Sequence, residues 1–290
     1  VAYNMQSFAI VIGAMKSGTT SLYQYLSKHP EVARCDFRKQ VNFFSDDHLW
    51  NQGVEWYRDQ WSVNPSRQRW ALEASPSYTE PDNAEKCAER MASVESEFRL
   101  IYLMRDPFDR ICSHFNHGRQ NGEFADEPSL SRALRTRPQL VEVSRYTRWI
   151  EAYERYFSRK HIHLLTLEAL AEDPERVLHD ICRFLQINDQ FDFPNLGKKY
   201  NSRDVQRQYT GFVHTLRSVG LLRTLVRRIL PLDIRNGLKG IFADKQSKET
   251  EYPELSDADR NYVRDQLLDD LEKLRKDPGV DVDHWPIFSK

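Results

Sequence analysis

The stretch Phe8-Ala9-Ile10-Val11-Ile12-Gly13-Ala14-Met15-Lys16-Ser17-Gly18-Thr19-Thr20-Ser21 decides the fold class. Its apolar run reads as a short buried strand, and beyond the loop Leu22, Tyr25 and Leu26 recur at helical spacing. A strand, a glycine-bounded loop and a helix N-terminus make an anion cradle, because backbone N–H groups and the helix dipole face the ligand. Gly13 and Gly18 keep the spacing of the two glycines in G-x-x-x-x-G-K-[ST]. The lysine, however, stands inside the loop at Lys16, and Thr19 follows the second glycine. That displacement points away from ordinary ATP or GTP chemistry. A lysine among loop amides sets a point charge beside a phosphate or sulfate; the plainer reading is a glycine-rich turn with a solvated lysine.

Working outward, further apolar runs at 70–74, 99–104 and 161–167 alternate with helical patterns at 147–157 and 174–185. This alternation predicts an α/β fold, a P-loop-like, mainly parallel sheet flanked by helices. Asp106-Pro107 reads as N-cap and first residue of a helix that buries Phe108, Ile111 and Phe115. Past Pro194 only helical patterns follow, near 211–230 and 257–276, giving a helical C-terminal elaboration. No repeat or linker interrupts the chain, so residues 1–290 read as a single domain.

Composition bounds the function. With 40% hydrophobic and 29% charged residues the chain reads as a soluble globular protein. No apolar run approaches the roughly 18 residues of a membrane span, and residues 1–7 have neither the basic nor the apolar region of a signal peptide. A chain that starts at Val1 rather than Met leaves room for an upstream anchor or domain. Cys35, Cys87, Cys112 and Cys182 are scattered, without metal-ligand spacing. They read as reduced thiols of a cytoplasmic protein without a metal site, two disulfides being the alternative. The net charge of −1 hides a basic segment, 198–248, with 12 Lys or Arg against 3 Asp.

A second motif bears on the loop. The run 100–104 ends in Arg105-Asp106-Pro107, and the following helix carries Arg110 and Ser113. Ligands of α/β sheets bind at the carboxyl ends of strands, where Arg105 falls. A Walker-type NTPase would place there an Asp for Mg²⁺; an Arg instead binds an anion directly, with Ser113 two turns on able to donate to it. A salt bridge from Arg105 to Asp109 is the alternative.

Together these elements resemble the PAPS-dependent sulfotransferases, whose 5′-phosphosulfate loop and 3′-phosphate motif have this form and order (PAPS is 3′-phosphoadenosine 5′-phosphosulfate). Lys39-Gln40-Val41-Asn42-Phe43-Phe44 and Gly53-Val54-Glu55-Trp56-Tyr57 are similar to the K-E-x-x-F-F and G-x-x-W-Y segments of the heparan-sulfate and bacterial branch. Glu73-Ala74-Ser75-Pro76-Ser77-Tyr78 is similar to its E-[KA]-[ST]-P-x-Y segment, and Trp149-Ile150 and Asp281-Val282-Asp283-His284-Trp285 also fit. The resemblance implies that Lys16, Ser17, Gly18, Thr19, Thr20 and Ser21 hold the 5′-phosphosulfate, with Lys16 stabilising charge on the bridging oxygen. It implies that Arg105 and Ser113 bind the 3′-phosphate, and that Tyr200, Asn201 and Arg203 close over the nucleotide. It implies PAPS as co-substrate, PAP as product, in-line sulfuryl transfer and no metal.

One position departs from the family. Its general base is the Glu of K-E-x-x-F-F, and this chain has Gln40 there. An amide orients a hydroxyl but cannot take its proton. Either the Gln was introduced and stalls turnover, or it is native with another base, or the acceptor needs little help. Candidate substitutes are His48, Asp46 and Glu73, of which His48 also reads as a surface residue and Glu73 as an anchor for Lys16 or a backbone amide. His114, His117, His161 and His163 read as structural or surface histidines. The apolar stripe of 212–229 reads as a packed helix with a cationic side; a lid for an anionic acceptor, or contact with a membrane surface or carrier protein, is the alternative. No nucleic-acid module is present.

The expected function is sulfuryl transfer from PAPS to a hydroxyl or amine of a carbohydrate, lipid-linked or small natural-product acceptor. Two alternatives stand beside it: a catalytically impaired PAPS-binding homologue, and a P-loop small-molecule kinase.

Overall fold

A computed structural model describes residues 7–36, 38–194, 196 and 252–289. Five strands form one sheet in the order β2-β3-β1-β4-β5: β1 Ser7–Gly13, β2 Val32–Arg34, β3 Trp70–Ala74, β4 Phe98–Met104 and β5 Ile162–Thr166. All pairings are parallel. Ser7–Gly13 is flanked by β3 on one side and β4 on the other, so the strand order reverses across it. That is the point at which an open α/β sheet leaves a crevice at its carboxyl edge.

Alternation along the strands separates two buried layers. Phe8, Ile10 and Ile12 of β1 join Leu100, Tyr102 and Met104 of β4 on one face. Ala9 and Val11 join Leu72, Ile101 and Leu103 on the other. The second face is covered by α1 (Thr19–Leu26), through Leu22, Tyr25 and Leu26, and by the amphipathic helix Pro174–Leu185. The first face is covered by an aromatic group, Phe43, Phe44, Tyr57 and Trp61, and by several helices. Phe8 packs 4.8 Å from Tyr57 and 5.5 Å from Trp61, ring centre to ring centre. Contacts of this kind add about 0.5–1.5 kcal/mol each beyond the area they bury.

The short helices α2 (Asp47–Trp50) and α3 (Val54–Arg58) precede β3, and α4 (Ala84–Ala92) follows it. Helix α5 (Pro107–Asn121) begins as the sequence predicts: the Asp106 side chain accepts from the Asp109 amide at 3.1 Å, and Pro107 opens the first turn. Next come α6 (Leu130–Thr136), α7 (Gln139–Glu142), α8 (Tyr146–Glu154), α9 (Leu167–Glu172) and α10 (Pro174–Leu185). The C-terminal helix α11 (Asp257–Leu274) adds Val263, Leu267, Leu271 and Leu274 to the first layer. Its Asp270 carboxylate accepts from the Thr147 and Arg148 amides at 3.0 and 2.9 Å, capping the start of α8. The expected helix at 211–230, the basic segment 198–248, and Tyr200, Asn201 and Arg203 lie outside the described residues. Among the described residues no helix is long and apolar enough to cross a membrane. All four cysteines are buried thiols outside any disulfide.

Candidate functional site

The loop after β1 is held tightly against its neighbours. Gly13 lies so close to Thr79 that a Cβ would sit 1.9 Å from its Oγ1. The Ala14 amide donates to the Leu103 carbonyl at 2.6 Å, tying the loop to β4. Lys16 and Gly18 both take left-handed backbone, with φ of 69° and 91°. Glycine adopts this freely, whereas a lysine there stores about 1–3 kcal/mol of strain, a cost that clusters at functional sites. Gly18 occupies the N-cap of α1, and no side chain caps that helix. The leading amides of α1 are therefore left for a ligand. Ser17 is buried, and its Oγ has no hydrogen-bond partner among the described residues.

Cations converge on this loop from three separate segments. Lys16 comes from the loop itself, Lys39 donates to Thr20 Oγ1 at 2.9 Å, and Arg105 reaches the Lys16 carbonyl at 3.4 Å. Burial, with the charges of Arg105 and Arg110, lowers Lys16 to about 8. Burial and the charge of Lys16 lower Lys39 to about 8 as well. Positive groups thus face one another in partial burial, and among the described residues the acid paired with them is Asp109, 2.7 Å from Arg105. The salt bridge weighed against a ligand role for Arg105 is therefore present, on the same guanidinium that contacts the loop. Tyr146 fixes the backbone there, donating to the Arg105 carbonyl at 2.6 Å. Half-buried Ser113 lies two turns along α5. A cradle of free amides and under-neutralised cations fits a ligand carrying more than one phosphate or sulfate. Lys39 is a site cation that the sequence offered only as the start of a motif.

Gln40 is exposed, between two fixed backbone neighbours. The Ala74 amide donates to the Lys39 carbonyl at 3.1 Å, and the Val41 amide donates to Glu73 Oε1 at 3.2 Å. Glu73 is the hub of this arrangement. It is fully buried and also accepts from the Asn42 amide at 3.2 Å, Tyr57 at 2.6 Å, Tyr78 at 2.7 Å and Ser75. Burial pushes its pKa up while these donors pull it down. Of the parts the sequence left open for Glu73, these are the bonds of an anchor for backbone amides, holding the 40–44 segment against β3. His48 is exposed on α2, and Asp46 caps that helix, accepting from the His48 and Leu49 amides at 2.9 and 3.1 Å.

The other histidines differ sharply. His114 is buried with Nδ1 3.3 Å from Arg110, and burial and the Arg110 charge lower it to about 2. Half-buried His163 is lowered to about 4, chiefly by burial. His161 is half-exposed just before β5. His117 is half-buried on α5, and Asn121 Nδ2 donates to its Nε2 at 2.9 Å. Burial and the charge of Lys16 lower its pKa. Among the described residues no cluster of His, Cys, Asp or Glu has the makings of a metal site.

A family model described as a sulfotransferase domain matches residues 7–198. Human heparan sulfate glucosamine 3-O-sulfotransferase 5 is 27% identical over 199 residues, which cover 65% of this chain and 56% of that protein. Mouse bifunctional heparan sulfate N-deacetylase/N-sulfotransferase 4 is 27% identical over 202 residues, covering 63% and 23%. The chain thus spans little more than half of the first relative and under a quarter of the second. A solved sulfotransferase from Alicyclobacillus acidocaldarius superposes with a TM-score of 0.65 over 97% of this chain and 98% of its own, at 18% identity, a likeness of fold.

Proposed function

Because this chain belongs to the sulfotransferase domain family, we propose that it moves a sulfuryl group from PAPS to an acceptor, releasing PAP. The observation that carries the reading is the convergence of Lys16, Lys39 and Arg105 on an uncapped helix start. Lys16 to Ser21 would hold the 5′-phosphosulfate, and Arg105 with Ser113 the 3′-phosphate. PAPS supplies an activated sulfuryl group on a good leaving phosphate. Lys16, a partly buried cation of the loop, stabilises negative charge that grows on the leaving side. The backbone amides are oriented before reaction, so they stabilise that charge without reorganising. Lys39 stands next to Gln40 and sets a second cation on the same loop. The locked backbone of 39–42 aims Gln40 outward, where its amide can orient an acceptor but not deprotonate it. Tyr200, Asn201 and Arg203 remain the proposed cover of the nucleotide.

The curated relatives are named for sulfation of heparan sulfate, on oxygen in one and nitrogen in the other. A carbohydrate hydroxyl or amine is therefore the acceptor class we favour, with lipid-linked and small natural-product acceptors beside it. Four buried thiols outside any disulfide support a reducing compartment such as the cytoplasm. Thermal shifts test the donor side: stabilisation by PAP without added Mg²⁺ is expected, and stabilisation by Mg·ATP alone would refute it in favour of a kinase. Labelled sulfate transfer from PAPS to an acceptor panel tests the activity. No transfer by either the wild type or Gln40→Glu would leave a nucleotide-binding scaffold.

A further inference from the structure

The reaction needs a proton acceptor, and the positions near the loop supply few. Gln40 lacks the chemistry. The Glu73 carboxylate is enclosed by Val41, Asn42, Tyr57, Ser75 and Tyr78. His48 stands exposed on α2, and His114 is sealed against Arg110.

Helix α5 offers one more group. Arg105 precedes the helix and contacts the loop, and Ser113, His117 and Asn121 then follow at intervals of four along one face. His117 is half-buried, which leaves its ring reachable, and its neighbour Asn121 is exposed. Asn121 donates its amide to Nε2 at 2.9 Å, so Nε2 carries the lone pair of the ring. We propose that His117 is the proton acceptor for the attacking hydroxyl or amine, supplying the base that Gln40 cannot be.

This rests on the sulfotransferase reading. Among the described residues, the charged group acting on His117 from outside its own helix is Lys16, and His114 is a titratable neighbour on α5. Burial and then the charge of Lys16 keep the ring neutral before the donor binds, and a bound polyanion relieves the penalty on the imidazolium that then forms. In the step, the acceptor O–H or N–H proton passes to Nε2 as the Asn121 amide withdraws. The acceptor atom bonds to sulfur while the bond from sulfur to the 5′-phosphate oxygen breaks, and its electron pair stays on PAP. The imidazolium later returns its proton to water.

The test compares wild type, His117→Ala and His117→Gln in sulfate transfer from PAPS, with PAP affinity measured by calorimetry. A general base contributes about 10²–10⁴ in rate. The expected result is at least a hundredfold loss of kcat in both variants, PAP affinity within about threefold of wild type, and partial rescue of His117→Ala by added imidazole. Imidazole ¹⁵N spectra give a readout apart from turnover: PAP should raise the pKa of His117. Retained PAP binding certifies folding of the variants. Turnover of the variants equal to wild type, a loss matched by lost PAP binding, or no response of His117 to PAP overturns the proposal alone. So does loss of turnover in Glu80→Gln with none in His117→Ala, Glu80 being a partly buried acid raised by burial and by Glu123. A wild type that binds PAP yet transfers nothing overturns both this proposal and the transferase reading.

Discussion

Raising the pH from about 7 to about 9 should weaken PAP binding by between tenfold and a hundredfold, because two lysines of the cradle discharge across that window. Lys16 and Lys39 each stand at about 8, lowered first by burial and then by neighbouring cations. A group with that pKa is roughly nine-tenths charged at pH 7 and roughly one-tenth charged at pH 9. Phosphate and sulfate oxygens beside the ammonium groups return them toward the ordinary lysine value of about 10.4. The complex then takes up the protons that the free protein lacks. Each lysine contributes about tenfold, or ~1.4 kcal/mol, to the change in affinity. Independent titration would give the hundredfold ceiling; repulsion between the pair spreads the steps and lowers it. The ligand adds little, since phosphomonoesters complete their ionisation near pH ~6.

Calorimetry in two buffers of different ionisation enthalpy reads the uptake directly. It should be near zero at pH ~7 and between about one and two protons per PAP at pH ~9. In Lys16→Met the remaining uptake should fall to about one proton or less. Affinity independent of pH, with wild-type uptake below about 0.3 proton at pH ~9, would refute the claim that these lysines meet the ligand's charge.

The same lowered pKa predicts that Lys16→Met stabilises the free protein at pH ~7 by about 1–3 kcal/mol while abolishing PAP binding, as thermal melts with and without PAP would register. The sign follows from linkage: between about pH 8 and 10.4 the unfolded chain holds a proton that the folded one has lost, so this stabilising effect shrinks as pH rises through that window. Gly18→Ala forces a side chain onto φ 91° and sets its Cβ 2.6 Å from Leu167 Cδ1; a stability loss of about 1–3 kcal/mol with weaker PAP binding is expected in denaturant titrations. Glu73→Gln turns an amide N–H₂ toward donors that need an acceptor. The melting temperature should fall by roughly 5–10 °C, from about 3 kcal/mol of lost bonding. Arg105→Met should cost PAP about 2–3 kcal/mol while changing adenosine 5′-phosphosulfate far less, measured as the ratio of their dissociation constants.

Periodicity carried most of the fold. Phe8 to Ile12 and Leu100 to Met104 are long apolar runs whose alternate residues feed two layers, and each strand was legible because both of its faces are buried. Asp106-Pro107 marked a helix start to the residue because capping is local chemistry. Val32–Arg34 was missed, being three residues long with an exposed end, and its pairing with β3 is a tertiary fact. The start of α8 fell one residue earlier than expected, at Tyr146. Capping by Asp270, more than a hundred positions away, helps fix that boundary and is invisible to local reading.

The site divides along the same line. Gly13, Lys16 and Gly18 announce themselves because a tight anion loop needs those residue types at that spacing in one continuous segment. Lys39 belongs to the same cradle through a bond to Thr20, yet nothing in its own neighbourhood says which way its ammonium points. A motif names residue types, and only the fold tells which of two adjacent residues, Lys39 or Gln40, turns toward the loop. Glu73 is the converse case. An acidic residue on a strand near a cleft invites a catalytic reading, but Tyr57, Tyr78, Ser75 and two backbone amides close on it from three segments. A carboxylate so fully enclosed and bonded is kept away from a substrate's proton. Removing Glu73 from the list of bases and finding Gln40 inert leaves the chemistry to be sought where sequence proximity gave no hint, on the far turns of α5.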